Sequence, residues 1–208
     1  MEKLTKFNIS LAILILFHVI GVFIFKFNPS AVSLSYLTIL LCGIIVFLGE
    51  ENKRKALIAY TIIFIVGYLI EYIGVTTGLL FGAYSYGNSI GYKLMGIPLI
   101  MGVNWIAIVV SSVSVIKKIG LSNNTFVIAF LSALLCTLMD FIIEPVAIKF
   151  DFWSWEEITI PISNYVDWFI FSLIFAYIYT ALKLSTNKIA VFLFFIWIAF
   201  FSIIKLLE

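Results

Sequence analysis

Charge is scarce in this chain, and so are the residues that build metal and redox centres. Only 12 % of its 208 residues are Asp, Glu, Lys or Arg, against 63 % hydrophobic ones, and the mean hydropathy is +1.18. So little charge excludes an ordinary water-soluble domain, and the chain reads as an integral membrane protein. A single histidine, His18, excludes a His-cluster metal site of the membrane-oxygenase kind, so no metal ligand set is expected. His18 lies in the middle of an apolar run, where a packed, hydrogen-bonded ring is the ordinary reading. Two cysteines, Cys42 and Cys136, both inside apolar runs, define neither a disulfide framework nor a redox compartment. The net charge of +2 comes with Lys and Arg in short clusters between apolar runs, a pattern that reports membrane orientation and excludes a nucleic-acid surface. The last apolar run has no lysine before Lys205, at its end, which rules out a retinal Schiff base in its interior.

What is present is length of apolar sequence. A bilayer core of about 30 Å needs roughly 20 apolar residues per helix. Seven runs meet that measure: Ile9–Phe25, Val32–Leu48, Ala56–Ile73, Ile97–Ile116, Thr125–Ile143, Tyr165–Leu182 and Ile189–Leu206. They lack period-two alternation and are too long for strands, so the expected fold is an all-α transmembrane bundle, a single domain over 1–208. The first run follows Lys3 and Lys6 like a signal sequence, but no small-residue cleavage site follows it, and it reads as a retained span. With a cytoplasmic N-terminus, nine basic residues fall inside and only Lys26, Lys93, Lys149 and Lys205 outside, which supports both span count and orientation.

Two connections on the outer side are unlike the rest. Gly74–Gly96 is rich in Gly, Thr and Tyr, while Val146–Ser163 carries Phe150, Phe152, Trp153 and Trp155 beside Asp151, Glu156 and Glu157. The plain reading is interfacial anchoring by aromatic rings. The sharper one is that both loops fold back over the bundle, since glycine-rich backbone at membrane depth is tolerated only against protein or a cavity.

An ionisable side chain costs several kcal/mol within a bilayer, so the acids near span ends stand out. Glu71 ends the third run, Asp140 and Glu144 close the fifth, and Asp167 opens the sixth. Asp140 and Glu144 are four apart and share a helix face. Pro145 follows, so Glu144 is expected at a helix break. Two acids on one face in a low-dielectric layer do not both ionise easily, and a carboxyl that keeps its proton suits a general acid. For Asp167, stabilisation by the dipole of a helix first turn is the expected role. Asn104 sits about a third of the way into the fourth run, where helix packing is the ordinary use of an amide.

The order Glu71-Tyr-Ile-Gly-Val-Thr-Thr-Gly-Leu-Leu-Phe-Gly-Ala-Tyr-Ser-Tyr86 resembles the carotenoid biosynthesis membrane-protein family that includes the bisanhydrobacterioruberin and γ-carotene hydratases. Gly96-Ile-Pro98 leading to Asn104-Trp105, Asp140-Phe-Ile-Ile-Glu-Pro145, Trp153-Ser-Trp155 and Ile160-Pro-Ile-Ser-Asn-Tyr-Val-Asp-Trp168 are similar in kind and follow in order. Two positions depart from the family pattern: Glu144 stands where a second Asp is usual, and Asp167 where Gly is usual.

The resemblance implies addition of water across the terminal carbon 1–carbon 2 double bond of a linear or monocyclic carotenoid, giving a tertiary alcohol. It implies a cofactor-independent hydro-lyase in contact with membrane lipid, in a bacterial or archaeal cell membrane. Glu71, Asp140 and Glu144 would be catalytic. Thr77, Phe81, Tyr84, Tyr86, Asn104, Trp105, Trp153, Trp155, Asn164 and Trp168 would bind substrate. The residues fit such chemistry, because protonating a trisubstituted alkene needs a strong donor and leaves a tertiary cation that aromatic faces stabilise. Two other readings compete: a small proton-coupled transporter, and a non-catalytic carotenoid- or lipid-binding protein. The transporter expects polar residues at several depths, whereas the inner halves of most runs are unbroken Ile, Leu, Val and Phe.

Overall fold

The structure, a computed structural model, describes residues 2–157 and 159–207. Seven helices follow one another: α1 (Glu2–Phe27), α2 (Ser35–Gly49), α3 (Lys53–Thr77), α4 (Ile100–Ile119), α5 (Thr125–Lys149), α6 (Ile162–Ala181) and α7 (Lys188–Leu206). Counting the short 3-10 turn Pro29–Leu34 with α2, all seven are long and apolar enough to cross a membrane. Helix α4 is the centre of the bundle: 83 % of its most apolar stretch is buried, against 11 % for α1. An outer helix facing lipid and an inner helix facing protein are equally apolar, so hydropathy alone does not rank them.

Local signals set the helix ends. Asn52, Asn124 and Asn187 each accept a backbone N–H from the first turn that follows, of α3, α5 and α7 respectively. All three caps sit on the face that carries the lysine clusters, called here the basic face. Gly78 and Gly120, both left-handed, stop α3 and α4.

At the opposite face the two unusual loops fold over the bundle. Strand β1 (Tyr84–Tyr86) pairs antiparallel with β4 (Trp153–Trp155), Tyr84 opposite Trp155 and Tyr86 opposite Trp153. Alternation turns both tyrosines inward and leaves Ser85 outside. Strands β2 (Lys93–Leu94) and β3 (Ile97–Pro98) form a small hairpin closed by Met95 and Gly96, both at positive φ. This hairpin corrects the expected start of the fourth span: Ile97 and Pro98 belong to β3, and α4 begins at Ile100. Two consecutive positive φ angles make the tight turn that a two-residue hairpin loop needs.

Two further expectations are corrected. Helix α5 does not break at Glu144; it runs through Pro145 to Lys149. The bias against helix before proline is outweighed because the following turn is well bonded, with Phe150 N–H donating to Val146 O and Phe152 N–H to Ala147 O. Helix α6 begins at Ile162, so Asp167 lies beyond its first turn and is not a dipole-stabilising carboxylate.

An N-terminus on the inner side puts the connections around Ser122 and Ser185 inside as well. Single cysteines at those positions, in a chain whose own Cys42 and Cys136 are buried, are expected to react with a membrane-impermeant thiol reagent only after the cell is opened. Labelling of either from outside overturns the orientation.

Candidate active site

Four segments converge beneath the β1–β4 ribbon. Glu71 comes from the last turns of α3, Trp105 from α4, Asp140 and Glu144 from α5, and Asn164 and Trp168 from α6. All of these but Trp105, together with Phe81, Tyr84, Tyr86, Trp153, Trp155 and Met101, line one cavity of about 280 Å³. Glu71, Asp140 and Glu144 are 3 %, 1 % and 1 % exposed, so each carboxyl depends on protein donors.

The three acids are served unequally. Glu71 accepts at Oε2 from the hydroxyls of Tyr84 (2.5 Å) and Tyr86 (2.6 Å), and at Oε1 from the Trp105 indole (2.9 Å). Glu144 accepts at Oε2 from the indoles of Trp153 and Trp155, each at 3.1 Å, and at Oε1 from the Asn164 amide at 3.3 Å. Among the described residues Asp140 has one partner, the same Asn164 amide, at 2.8 Å. The aromatic residues are therefore donors first. Burial, and after it the nearby Glu71 carboxylate, push the Tyr84 and Tyr86 hydroxyls well above the usual phenol range and keep them protonated. Aromatic rings wall the cavity: Trp168, itself stacked on Trp105 at 4.0 Å, and Tyr84, which lies 5.3 Å from Trp155.

Of the catalytic and binding residues singled out from sequence, three are not in the cavity lining: Trp105, which meets it through its bond to Glu71 and its stack on Trp168, and Thr77 and Asn104, which lie elsewhere. Thr77 is exposed, and its hydroxyl donates to Ile73 O of its own helix at 2.6 Å. Six residues past Glu71 it points about 240° around α3, away from the other acids. Asn104 is buried, but one step along α4 from Trp105 it faces a different space. That space is a larger, mostly apolar cleft of about 690 Å³, walled by His18, Thr38, Trp197 and Phe200 among others. Met101 and Trp153 line both cleft and acid cavity and form the boundary between them. His18 is buried and hydrogen-bonded through Nδ1 to Leu14 O at 2.7 Å, in edge contact with Phe200.

Sequence reasoning missed a fourth buried carboxylate. Glu50, 4 % exposed on the basic face, accepts at Oε1 from Tyr60 (2.9 Å), Tyr179 (2.7 Å) and Asn187 (3.0 Å), tying the α2–α3 connection to α3, α6 and α7. Polar tyrosines inside otherwise apolar runs were the available signal. Asp167, singled out from sequence for a helix-dipole role, instead accepts the Phe81 backbone N–H at its Oδ2, at 2.6 Å. Among the described residues, no group of three or more His, Cys, Asp or Glu side chains is arranged to hold a metal ion.

The carotenoid biosynthesis protein family model matches residues 30–207, which contain every residue of the acid cavity. A bisanhydrobacterioruberin hydratase from Haloarcula japonica is 29 % identical over 121 residues, covering 55 % of this chain and 41 % of the relative's own length. No solved structure matches the chain. With the family model spanning nearly all of it, the chain belongs to the carotenoid biosynthesis protein family.

Proposed function

We propose that this protein is a carotenoid hydratase that adds water across a terminal carbon 1–carbon 2 double bond and leaves a tertiary alcohol. The observation that carries the reading is the convergence of three buried carboxyls with unequal donor sets on one cavity beside an apolar cleft. Asp140, held by a single donor, is the carboxyl best suited to carry a proton and deliver it to carbon 2. The cation this leaves at carbon 1 faces the cavity-lining rings of Trp168 and Phe81, whose negative faces stabilise it. Glu144 shares the Asn164 amide with Asp140 and holds it only at 3.3 Å, so its Oε1 is free to take a proton from the attacking water. Water oxygen joins carbon 1, one proton has gone to carbon 2, and the proton received by Glu144 returns to Asp140, its neighbour one turn away. Glu71, saturated by three donors, fixes the walls of the cavity. The cleft takes the polyene body, with Met101 and Trp153 at the threshold between chain and reacting end. The family and the relative's name support a carotenoid substrate and this class of reaction.

The test is isotopic. Cells making an acyclic carotenoid and this protein, grown in oxygen-18 water, are expected to place the label in a new tertiary hydroxyl. Growth under oxygen-18 dioxygen should leave it unlabelled, and anaerobic cells should still form the product. Label from dioxygen overturns the hydratase reading. Unchanged pigment that co-purifies with the protein also overturns it and identifies a carotenoid-binding protein.

A further inference from the structure

Phe81 is held in a conformation that its side chain disfavours. Its φ is +65°, the left-handed region that residues with a Cβ seldom occupy, yet the ring is 2 % exposed and forms a wall of the acid cavity. Such a conformation persists only where the surroundings over-determine it. Here both peptide groups of the strained residue are tied to α6. The Asp167 carboxylate accepts the Phe81 N–H at 2.6 Å, and the Ser163 hydroxyl donates to the Phe81 carbonyl at 3.2 Å. Ser163 and Asp167 are four apart, one helical turn, so a single face of α6 presents both groups. Gly82 next to it, at φ +113°, lies so close to Pro161 that an added Cβ would sit 2.5 Å from the proline ring. The loop is therefore pressed onto the start of α6 as well as bonded to it.

We infer that Ser163 and Asp167 form a two-point clamp that seats the Phe81 ring against the reacting end of the substrate, with Asp167 a positioning residue. The inference rests on the hydratase reading for its kinetic consequence. The ring lies 6.4 Å from Trp105, the indole that bonds Glu71, and 6.1 Å from both Tyr84 and Phe171. Asp167 does not itself line the cavity. Its influence on chemistry runs through the backbone of Phe81. Trp168, the next residue, lines the cavity itself and stacks on Trp105, so adjacent residues of α6 hold the Phe81 wall and supply another.

Because the clamp borders the acid cavity and not the apolar cleft, loosening it should change the rate of the chemical step more than the binding of the polyene. In the full chain, Asp167→Ala is expected to speed hydrogen exchange at the Phe81 amide. It should lower kcat about 10²-fold, the usual cost of misplacing a reacting wall by an ångström, with KM nearly unchanged. Asp167→Asn should restore slow exchange and most of the rate, since its amide oxygen accepts the same N–H. Phe81→Gly, which takes a positive φ without strain, should lose the rate alone, and adding Asp167→Ala to it should cost little more. Unchanged exchange in Asp167→Ala overturns the clamp. Asp167→Asn as slow as Asp167→Ala also overturns it, because the group would then act through its charge or proton. If the wild-type chain forms no hydrated product, the hydratase reading falls while the exchange measurement still decides the clamp.

Discussion

Asp140→Asn should bring carotenoid hydration close to zero while leaving the bundle folded. The carboxyl is 1 % exposed and has the single partner Asn164 among the described residues. An asparagine keeps its shape and can still accept that amide, so little packing or hydrogen bonding is lost. What disappears is the proton. General acids typically contribute about 10²–10⁴-fold, so the loss should be plain in the pigments of cells that make the substrate. Thermal unfolding of the purified variant should match that of the wild type. Near-normal conversion in Asp140→Asn removes Asp140 as the acid.

Glu71→Gln should also nearly abolish conversion, but with a second signature. Glu71 gathers three donors on two oxygens, and glutamine offers one acceptor oxygen and an amide that is itself a donor. At least one of Tyr84, Tyr86 and Trp105 then loses its partner in a buried setting, at about 1–3 kcal/mol for each donor stranded. Tyr84 and Tyr86 are the inward residues of β1, so the ribbon covering the cavity loosens with them. The variant is expected to melt earlier than the wild type, which separates it from Asp140→Asn. Full activity in both variants would remove the proposed mechanism whatever the family membership.

The spans were legible because hydropathy and length are local properties, and each of the seven survives with shifted ends. The acid cluster was legible for the same reason: Glu71, Asp140 and Glu144 are costly in an apolar layer wherever they lie along the chain. Partner choice was not. Asn104 and Trp105 are adjacent in sequence, yet the helix turn sends one to the cleft and the other to Glu71. Thr77 sits in the resembling block and still points away. The local bias of Pro145 signals a break at Glu144, whereas the bonds that carry α5 past it are set by the loop that follows. Asp167 looked like a helix-end carboxylate since its partner, a backbone N–H 86 residues earlier, exists only once the loop has folded over.

Helix α3 is fastened at both of its ends by the same pair of residue types with their roles exchanged. Near the basic face it lends Tyr60 to Glu50, and at the other end it lends Glu71 to Tyr84 and Tyr86. Eleven residues separate Tyr60 from Glu71, which is about three full turns, so both side chains leave the helix in the same direction. The helix behaves as a shaft held in two bearings, unable to slide or spin without losing its grip at one end. A gain or loss of one residue between them would rotate Glu71 by about 100° and move it about 1.5 Å along the axis. Hydropathy would hardly register that change. The depth of the site in the membrane is therefore measured out along α3 by a count of residues, fixed from the far side of the bilayer.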